Sequence, residues 1–293
     1  MIDTSLKRYG KFFCALFSSV LLCSCSGADI LDTWIPQTGY QKFKDIAYGH
    51  HPRQKLDIYV PEGASLKTPV IVFFYGGSWK KGSKDEYRFV GQAFATKGYI
   101  TVIADYRLYP EVYFPEFMQD SAAAFVWVHE HIKNYGRDAQ KLFVAGHSAG
   151  AYNAVMLSLD DTYLSAAGGS REWIKGTIGL AGPYDFLPFT DKDVIAVFSK
   201  KPAELTQPIH FAHAGAPPML LLTGNADTDV YPKNTINLAK KLREYSNDVT
   251  THTYSGVAHI GIILALADGF RSKAPTLSDI DMFITTVLRK EQP

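Results

Sequence analysis

The sequence predicts an α/β fold, a mostly parallel central sheet with helices on both faces. Two observations carry this. From Pro69 onward, short runs that are apolar throughout alternate with longer stretches of helical periodicity. Each apolar run then stops at a turn rich in Gly or Asp, where an open parallel sheet places its ligands. The chain has 293 residues, 46% hydrophobic and 20% charged. That suits one large globular domain with a substantial core.

The N-terminus reads as a targeting signal. Lys7, Arg8 and Lys11 precede an apolar stretch from Phe12 to Leu22, too short to span a bilayer comfortably. All three cysteines, Cys14, Cys23 and Cys25, lie here, so the body has no disulfide and no thiol nucleophile. Leu22-Cys23-Ser24-Cys25 resembles a bacterial lipobox. The resemblance implies lipidation at Cys25, export, and a multi-acyl membrane anchor facing the periplasm or cell surface. The alternative is an ordinary secretory signal cleaved near Ala28. Residues 1–25 are therefore assigned to the signal, 26–42 to a tether and 43–293 to the folded domain. Removing the signal takes away Lys7, Arg8, Lys11 and Asp3 and turns the formal charge from +1 to −1. With no basic run, basic helix or zinc spacing, nucleic acid is excluded as a partner.

Phe43 to Tyr48 and Leu56 to Val60 read as an antiparallel pair, the second alternating with Leu56, Ile58 and Val60 on one face. His50-His51-Pro52 is the turn between them. Two histidines without a third ligand make a solvated loop, not a metal site. Pro69 to Tyr75 is a buried strand running into Gly76-Gly77-Ser78-Trp79. An amphipathic helix spans Asp85 to Lys97, and Tyr99 to Ala104 is the next strand. Phe114-Pro115 opens a helix to about Asn134, on which His129 and His131 face different ways.

Leu142 to Ala145 is a strand and Ala149 to Leu157 a helix, joined by Gly146-His-Ser148-Ala-Gly150. A lone G-x-S-x-G is an ordinary turn. Between a buried strand and a helix it holds a serine on a strained backbone with its Oγ over a cleft. Ile174 to Ala181 is a further strand. About 186–218, irregular and rich in aromatics and prolines, is a small cap, with His210 and His213 as surface residues. Met219 to Thr223 is a strand ending in Gly224-Asn-Ala-Asp227-Thr-Asp229. A helix opened by Pro232 runs to Tyr245 with Leu238 and Leu242 inward. Val249 to Tyr254 is the last strand. It leads to Gly256-Val-Ala-His259-Ile-Gly261, a short apolar helix, and a final helix around Ile280 to Leu288.

Four elements thus lie beyond the strand ends: Gly76-Gly77, Ser148, Asp227 and His259. A serine hydroxyl is a poor nucleophile unless a base with a pKa near 7 takes its proton. The imidazole needs a carboxylate to hold its tautomer, and the tetrahedral intermediate needs N–H donors, for which Gly76, Gly77 and Ala149 are the candidates. Asp229 and Asp185 rival Asp227, which is preferred because it sits inside the turn before Val230 re-enters the core. His252 lies within a strand and His147 would point away from the serine, which leaves His259.

Taken together, Gly146 to Gly150, Tyr75 to Trp79, Asp105-Tyr-Arg-Leu with Pro110-Glu111, Gly224 to Val230 and Gly256 to Gly261 resemble the α/β-hydrolase superfamily. The resemblance is to carboxylesterases of the hormone-sensitive-lipase and isoprenylcysteine-methylesterase-like type, over about Phe43 to Leu288. It implies Ser148 as nucleophile, Asp227 as acid, His259 as base and the Gly76-Gly77 loop as oxyanion hole. Many relatives carry His where this chain has Tyr75, which is read here as a packing residue. The expectation is a serine carboxylic-ester hydrolase acting on small-molecule esters through an acyl-enzyme, with no cofactor and no metal. Phe186, Leu187, Phe189 and Phe198 suggest a modest apolar pocket for a short acyl chain or small alcohol. The alternatives are an arylformamidase-like amide hydrolase and a binding module on a hydrolase scaffold.

Overall fold

The computed structural model describes residues 35–135 and 139–290. The expected signal, the lipobox with Cys25, and residues 26–34 of the expected tether lie outside the described residues. Among the described residues, eight strands form one sheet: β1 (Tyr40–Ala47), β2 (Lys55–Pro61), β3 (Val70–Phe74), β4 (Ile100–Ala104), β5 (Leu142–His147), β6 (Ile174–Leu180), β7 (Met219–Gly224) and β8 (Val249–Tyr254). Their spatial order is β1-β2-β4-β3-β5-β6-β7-β8. β1 and β2 are antiparallel, as are β2 and β4; all later neighbours are parallel. This is the α/β-hydrolase fold.

The helices are α1 (Arg88–Ala95), α2 (Glu116–His131), α3 (Ala149–Leu159), α4 (Asp161–Ala166), α5 (Lys192–Phe198), α6 (Lys233–Glu244), α7 (His259–Leu264) and α8 (Thr276–Lys290). The apolar runs form strands because both sheet faces are covered. β7 makes this visible. Met219 and Leu221 pack with Ala151 and Val155 of α3 and Leu238 and Leu242 of α6. Leu220 and Leu222 belong to the larger cluster, which includes Leu277, Ile280 and Ile284 of α8. Adjacent residues thus serve opposite faces, and each fully buried leucine contributes about 2 kcal/mol.

Four expectations need correction. β1 starts at Tyr40, so the end of the supposed 26–42 tether belongs to the sheet, with Tyr40 packed on Tyr59 at 5.6 Å between ring centroids. β2 does not alternate in burial: Asp57 and Tyr59, on its other face, are also fully buried. The helix expected from Asp85 explains why. It begins as a 3-10 turn, Lys84–Tyr87, and only then becomes α1. That turn drops Lys84 onto Asp57, at 3.0 Å. α1 lies so close that any side chain at Gly91 would strike the Tyr59 ring. His213, expected at the surface, is half-buried and bonded to Arg171.

Between β6 and β7 the chain leaves the sheet. Asp191 caps α5 by accepting the amides of Asp193 at 2.7 Å and Val194 at 3.1 Å. Phe186, Phe189 and Phe198 pack round Trp79, Phe114 and Tyr152, tying this segment to the loop after β3. Among the described residues no helix is long and apolar enough to cross a membrane.

Candidate active site

Ser148 stands between β5 and α3 at φ 55° and ψ −123°. Such a backbone costs a non-glycine residue on the order of 1–3 kcal/mol. Two features hold it. The Ser148 amide donates to the Leu180 carbonyl at 2.8 Å. The first turn of α3 also presses against the end of β3, where a Cβ on Gly150 would sit 2.0 Å from the Phe74 carbonyl oxygen. Only glycine permits that approach. The result lifts the serine Oγ off the sheet edge.

The partners come from the next strand ends along the sheet. Asp227 follows β7, and His259 is the first residue of α7, after β8. His259 Nε2 lies 2.9 Å from Ser148 Oγ, and its Nδ1 lies 2.8 Å from Asp227 Oδ2. With the carboxylate on Nδ1, the neutral ring carries its proton there, and Nε2 accepts from the serine hydroxyl. The other carboxylate oxygen is occupied: Asp227 Oδ1 accepts the amides of Asp229 at 3.0 Å and Val230 at 2.8 Å. Both oxygens are therefore fixed and Asp227 is only 2% exposed.

The loops bearing Asp227 and His259 are stitched together by backbone. Ala226 N–H donates to Val257 O at 3.1 Å, and Asn225 N–H to Tyr254 O at 2.9 Å. The Asn225 side chain accepts from Gly256 N–H at 2.7 Å. A Cβ on Gly224 would lie 2.0 Å from Val257 O, so this seam too requires glycine. Asp229 contributes its amide and not its carboxylate, and Asp185 is engaged elsewhere, accepting from Asn237 at 2.6 Å. His252 is exposed on β8.

The loop after β3 runs through three successive positive φ values, 125° at Gly77, 54° at Ser78 and 56° at Trp79. Successive left-handed residues turn neighbouring N–H groups into one concavity. Among the described residues, the amides of Gly77, Ser78 and Ala149 have no acceptor. Gly76 departs from expectation: its N–H donates to the Tyr87 hydroxyl at 3.2 Å. Its absent side chain matters instead, since a Cβ there would lie 2.9 Å from Ser148 Cβ.

Tyr75 is fully buried and stacks on Tyr106 at 4.9 Å. Its hydroxyl accepts from Arg53 Nη2 at 2.7 Å, so it turns away from the serine and packs. Arg53 also donates to Gly82 O at 2.8 Å and Tyr106 O at 2.9 Å, clamping both ends of the loop. Nothing in the residue pattern marked Arg53, because its acceptors, the Tyr75 hydroxyl and the carbonyls of Gly82 and Tyr106, are remote in sequence.

His147 does not point away. It is buried beside His259, with ring centroids 4.9 Å apart and its Nε2 3.2 Å from the His259 carbonyl oxygen. Burial, and next the charge of His259, push His147 down to about 3. It therefore stays neutral through the working range, with Nε2 as the donor to that carbonyl.

Above these groups opens a cavity of about 890 Å³. It is larger and more polar than the modest apolar pocket expected. Phe186, Leu187, Phe189 and Val194 supply an apolar side, but Lys81, Glu86, Asp229 and Lys233 also line it. With Asp191 also in the lining, two lysines face three carboxylates, a near balance that gives little steering toward a charged ligand. Tyr231 and Ile260 line it as well while being 58% and 53% exposed, forming an apolar lip. Among the described residues no cluster of His, Cys, Asp or Glu is placed to hold a metal ion.

A profile of the BD-FAE family matches residues 56–242, more than half of the chain. The chain belongs to the BD-FAE family. Its relatives include a probable isoprenylcysteine alpha-carbonyl methylesterase of Arabidopsis thaliana, 27% identical over 259 residues. That match covers 78% of this chain and 54% of the relative, so the chain spans about half the methylesterase's length. A kynurenine formamidase of Salmo salar is 27% identical, with 78% of each chain covered. Among solved structures, esterase B of Lactobacillus rhamnosis superposes with a TM-score of 0.78 at 17% identity, covering 90% of this chain and 93% of the other. At that identity it supports the fold alone.

Proposed function

We propose that this BD-FAE family member is a serine carboxylic-ester hydrolase with Ser148 as nucleophile, His259 as general base and Asp227 as its orienting carboxylate. The observation that carries the reading is the continuous hydrogen-bonded chain from Ser148 Oγ through His259 to Asp227 on the cavity floor.

In the first half-reaction His259 Nε2 takes the Ser148 proton as Oγ attacks the ester carbonyl carbon. Asp227 stabilises the imidazolium, and its fixed oxygens keep the ring from turning. The tetrahedral oxyanion is met by the amides of Ala149 and Gly77, joined by that of Ser78. Each such donor is typically worth about 3–4 kcal/mol in the transition state. His259 then protonates the departing alkoxide. A water, deprotonated by the same nitrogen, releases the acid from the acyl-enzyme. His147 and Arg53 position the base and the amide loop and touch no reacting atom.

The size of the cavity favours esters larger than acetate, with an apolar portion against Phe186 and Phe189. The formamidase relative keeps amide hydrolysis as a second reading of the same machinery. The N-terminal motif supports export and a lipid anchor at Cys25, which labelling with a radioactive fatty acid in Cys25→Ser against the parent chain tests directly.

The enzymatic test uses p-nitrophenyl acetate, butyrate and octanoate beside N-formylkynurenine, each with Ser148→Ala as control. Ester turnover that vanishes in the variant, highest for butyrate or octanoate, is the expected result. Turnover of the formamide alone moves the assignment to amide hydrolysis. Absence of any Ser148-dependent turnover in folded protein leaves a binding module.

A further inference from the structure

The amide expected to serve as an oxyanion donor, Gly76 N–H, is spent on the Tyr87 hydroxyl oxygen at 3.2 Å. Tyr87 lines the same cavity as Ser148 and His259, and its hydroxyl sits at Gly76, which lines that cavity too. Its ring is held on three sides, against Phe73 at 5.8 Å, Tyr75 at 5.6 Å and Phe89 at 5.8 Å between centroids. The 3-10 turn Lys84–Tyr87, itself pinned by buried Lys84, fixes its backbone. The oxygen therefore has one lone pair committed to Gly76, while among the described residues no group accepts its proton. The adjoining Gly77 and Ser78 amides are likewise without acceptors.

From this juxtaposition we propose that Tyr87 is a catalytic residue: it donates its hydroxyl proton, as a hydrogen bond, to the carbonyl oxygen of the substrate as that oxygen becomes an oxyanion. The Gly76 amide acts through it. By donating to the phenol oxygen it polarises the O–H and strengthens the donor presented to the cavity. Burial pushes Tyr87 up to about 12, so the group is a neutral donor at every working pH. The inference rests on the esterase reading and adds a side-chain donor to a hole otherwise built from backbone.

The test compares the parent chain, Tyr87→Phe and a chain carrying trifluorotyrosine at position 87, on p-nitrophenyl butyrate and with a trifluoromethyl ketone that forms a hemiketal on Ser148. Tyr87→Phe keeps the ring packing. It is expected to lower kcat about 10- to 100-fold with KM nearly unchanged, and to weaken the ketone by a similar factor. The fluorinated phenol ionises at lower pH, and its phenolate cannot donate. Its kcat is expected to fall on the alkaline side, with a midpoint below any seen in the parent. Glu86, whose charge acts on Tyr87, and the neighbouring phenols Tyr75 and Tyr106 are common to both chains, so their titration cancels in the comparison.

A kcat and ketone affinity within twofold of the parent would overturn the proposal, as would a loss confined to KM. An impaired Tyr87→Phe beside a fluorinated chain with the parent's pH profile would also overturn it and make Tyr87 a seat for Gly76. If the parent shows no Ser148-dependent turnover, the esterase reading fails first, before any Tyr87 variant is made.

Discussion

Asp227 and Asp57 are both sealed carboxylates, 2% and 0% exposed, and each is paired with a cationic or basic side chain. Their partners separate them. Asp57 meets Lys84 at 3.0 Å and Lys42 at 2.8 Å, and Lys84 spends its remaining reach on Asp45 at 2.7 Å and Asp85 at 3.3 Å. Burial by itself would push the Lys84 ammonium down, but the hydrogen bonds it donates to Asp45 and Asp57 override it and hold the group well above the ordinary lysine range. Every donor is committed, and none faces a cavity. Asp227 instead holds a ring whose second nitrogen reaches Ser148 at 2.9 Å over open space. Buried charge alone marks architecture. The proposed chemistry adds a partner with one atom left over at the edge of a cavity.

The sharpest way to break this contrast is to remove the leftover atom's function. Ser148→Ala, His259→Ala or Asp227→Asn is expected to cost on the order of 10⁴-fold or more in kcat, with the unfolding midpoint little changed. Steady-state turnover beside thermal melts decides it. An Asp227→Asn chain within tenfold of the parent would remove Asp227 from the mechanism.

Lys84→Met should do the reverse. It strands Asp57 without its principal counter-charge, at a cost of about 3–5 kcal/mol in urea unfolding, while the kcat of the molecules that remain folded stays close to the parent value. Adding Asp57→Leu should recover most of the loss, because the stranded charge is then gone. A Lys84→Met chain of full stability and no turnover would place that cluster inside the catalytic machinery.

His147 gives a smaller, pH-dependent effect. Its folded pKa, about 3, lies below the ordinary histidine value of 6.5. Below pH 6.5 the unfolded chain takes up a proton that the folded chain refuses. The stabilisation is thus complete above about 6.5 and is lost as pH falls toward 3, at up to about 1.4 kcal/mol per pH unit. Replacing His147 by Phe should flatten the stability curve between pH 4 and 6 by that increment; identical slopes would show the ring to be protonated in the folded chain. The smallest effect expected is that of Tyr75→Phe, less than about threefold in kcat. Its hydroxyl belongs to Arg53 and not to the oxyanion. A hundredfold loss would reverse that placement.

The sequence made some of this legible and hid the rest for physical reasons. Wholly apolar strands announce a sheet covered on both faces, and glycines at their ends mark where backbone must pass close to backbone. Hence the loops bearing Ser148, Asp227 and His259 could be named in advance, although His259 opens a helix and does not hang in a loop. β2 misled because its polar residues, Asp57 above all, looked like a solvent face. They are buried only because Lys84 arrives from the next segment, and no local periodicity encodes that. Tyr87 and Arg53 escaped for the same reason, since their hydrogen bonds to Gly76 and Gly82 join segments linked only by the fold. Cavity size followed suit, being set by several loops at once.

The segment over the cavity divides the chemistry along the chain. Ser148 and the amides of Gly77, Ser78 and Ala149 precede it, while Asp227 and His259 follow it, so the two halves meet where β6 pairs with β7, where α3 packs on β7 and α6, where α8 lies on the sheet, and where Ser148 meets His259. A single cut within the exposed stretch at Ser199–Lys201 would leave Ser148 and His259 on separate polypeptides, held together by sheet pairing, the shared core and hydrogen bonds such as Tyr184 N–H to Asn234. On the proposed esterase mechanism, hydrolysis would then report reassembly: silent with either fragment, restored when both are mixed. The fold thus contains a ready-made split reporter.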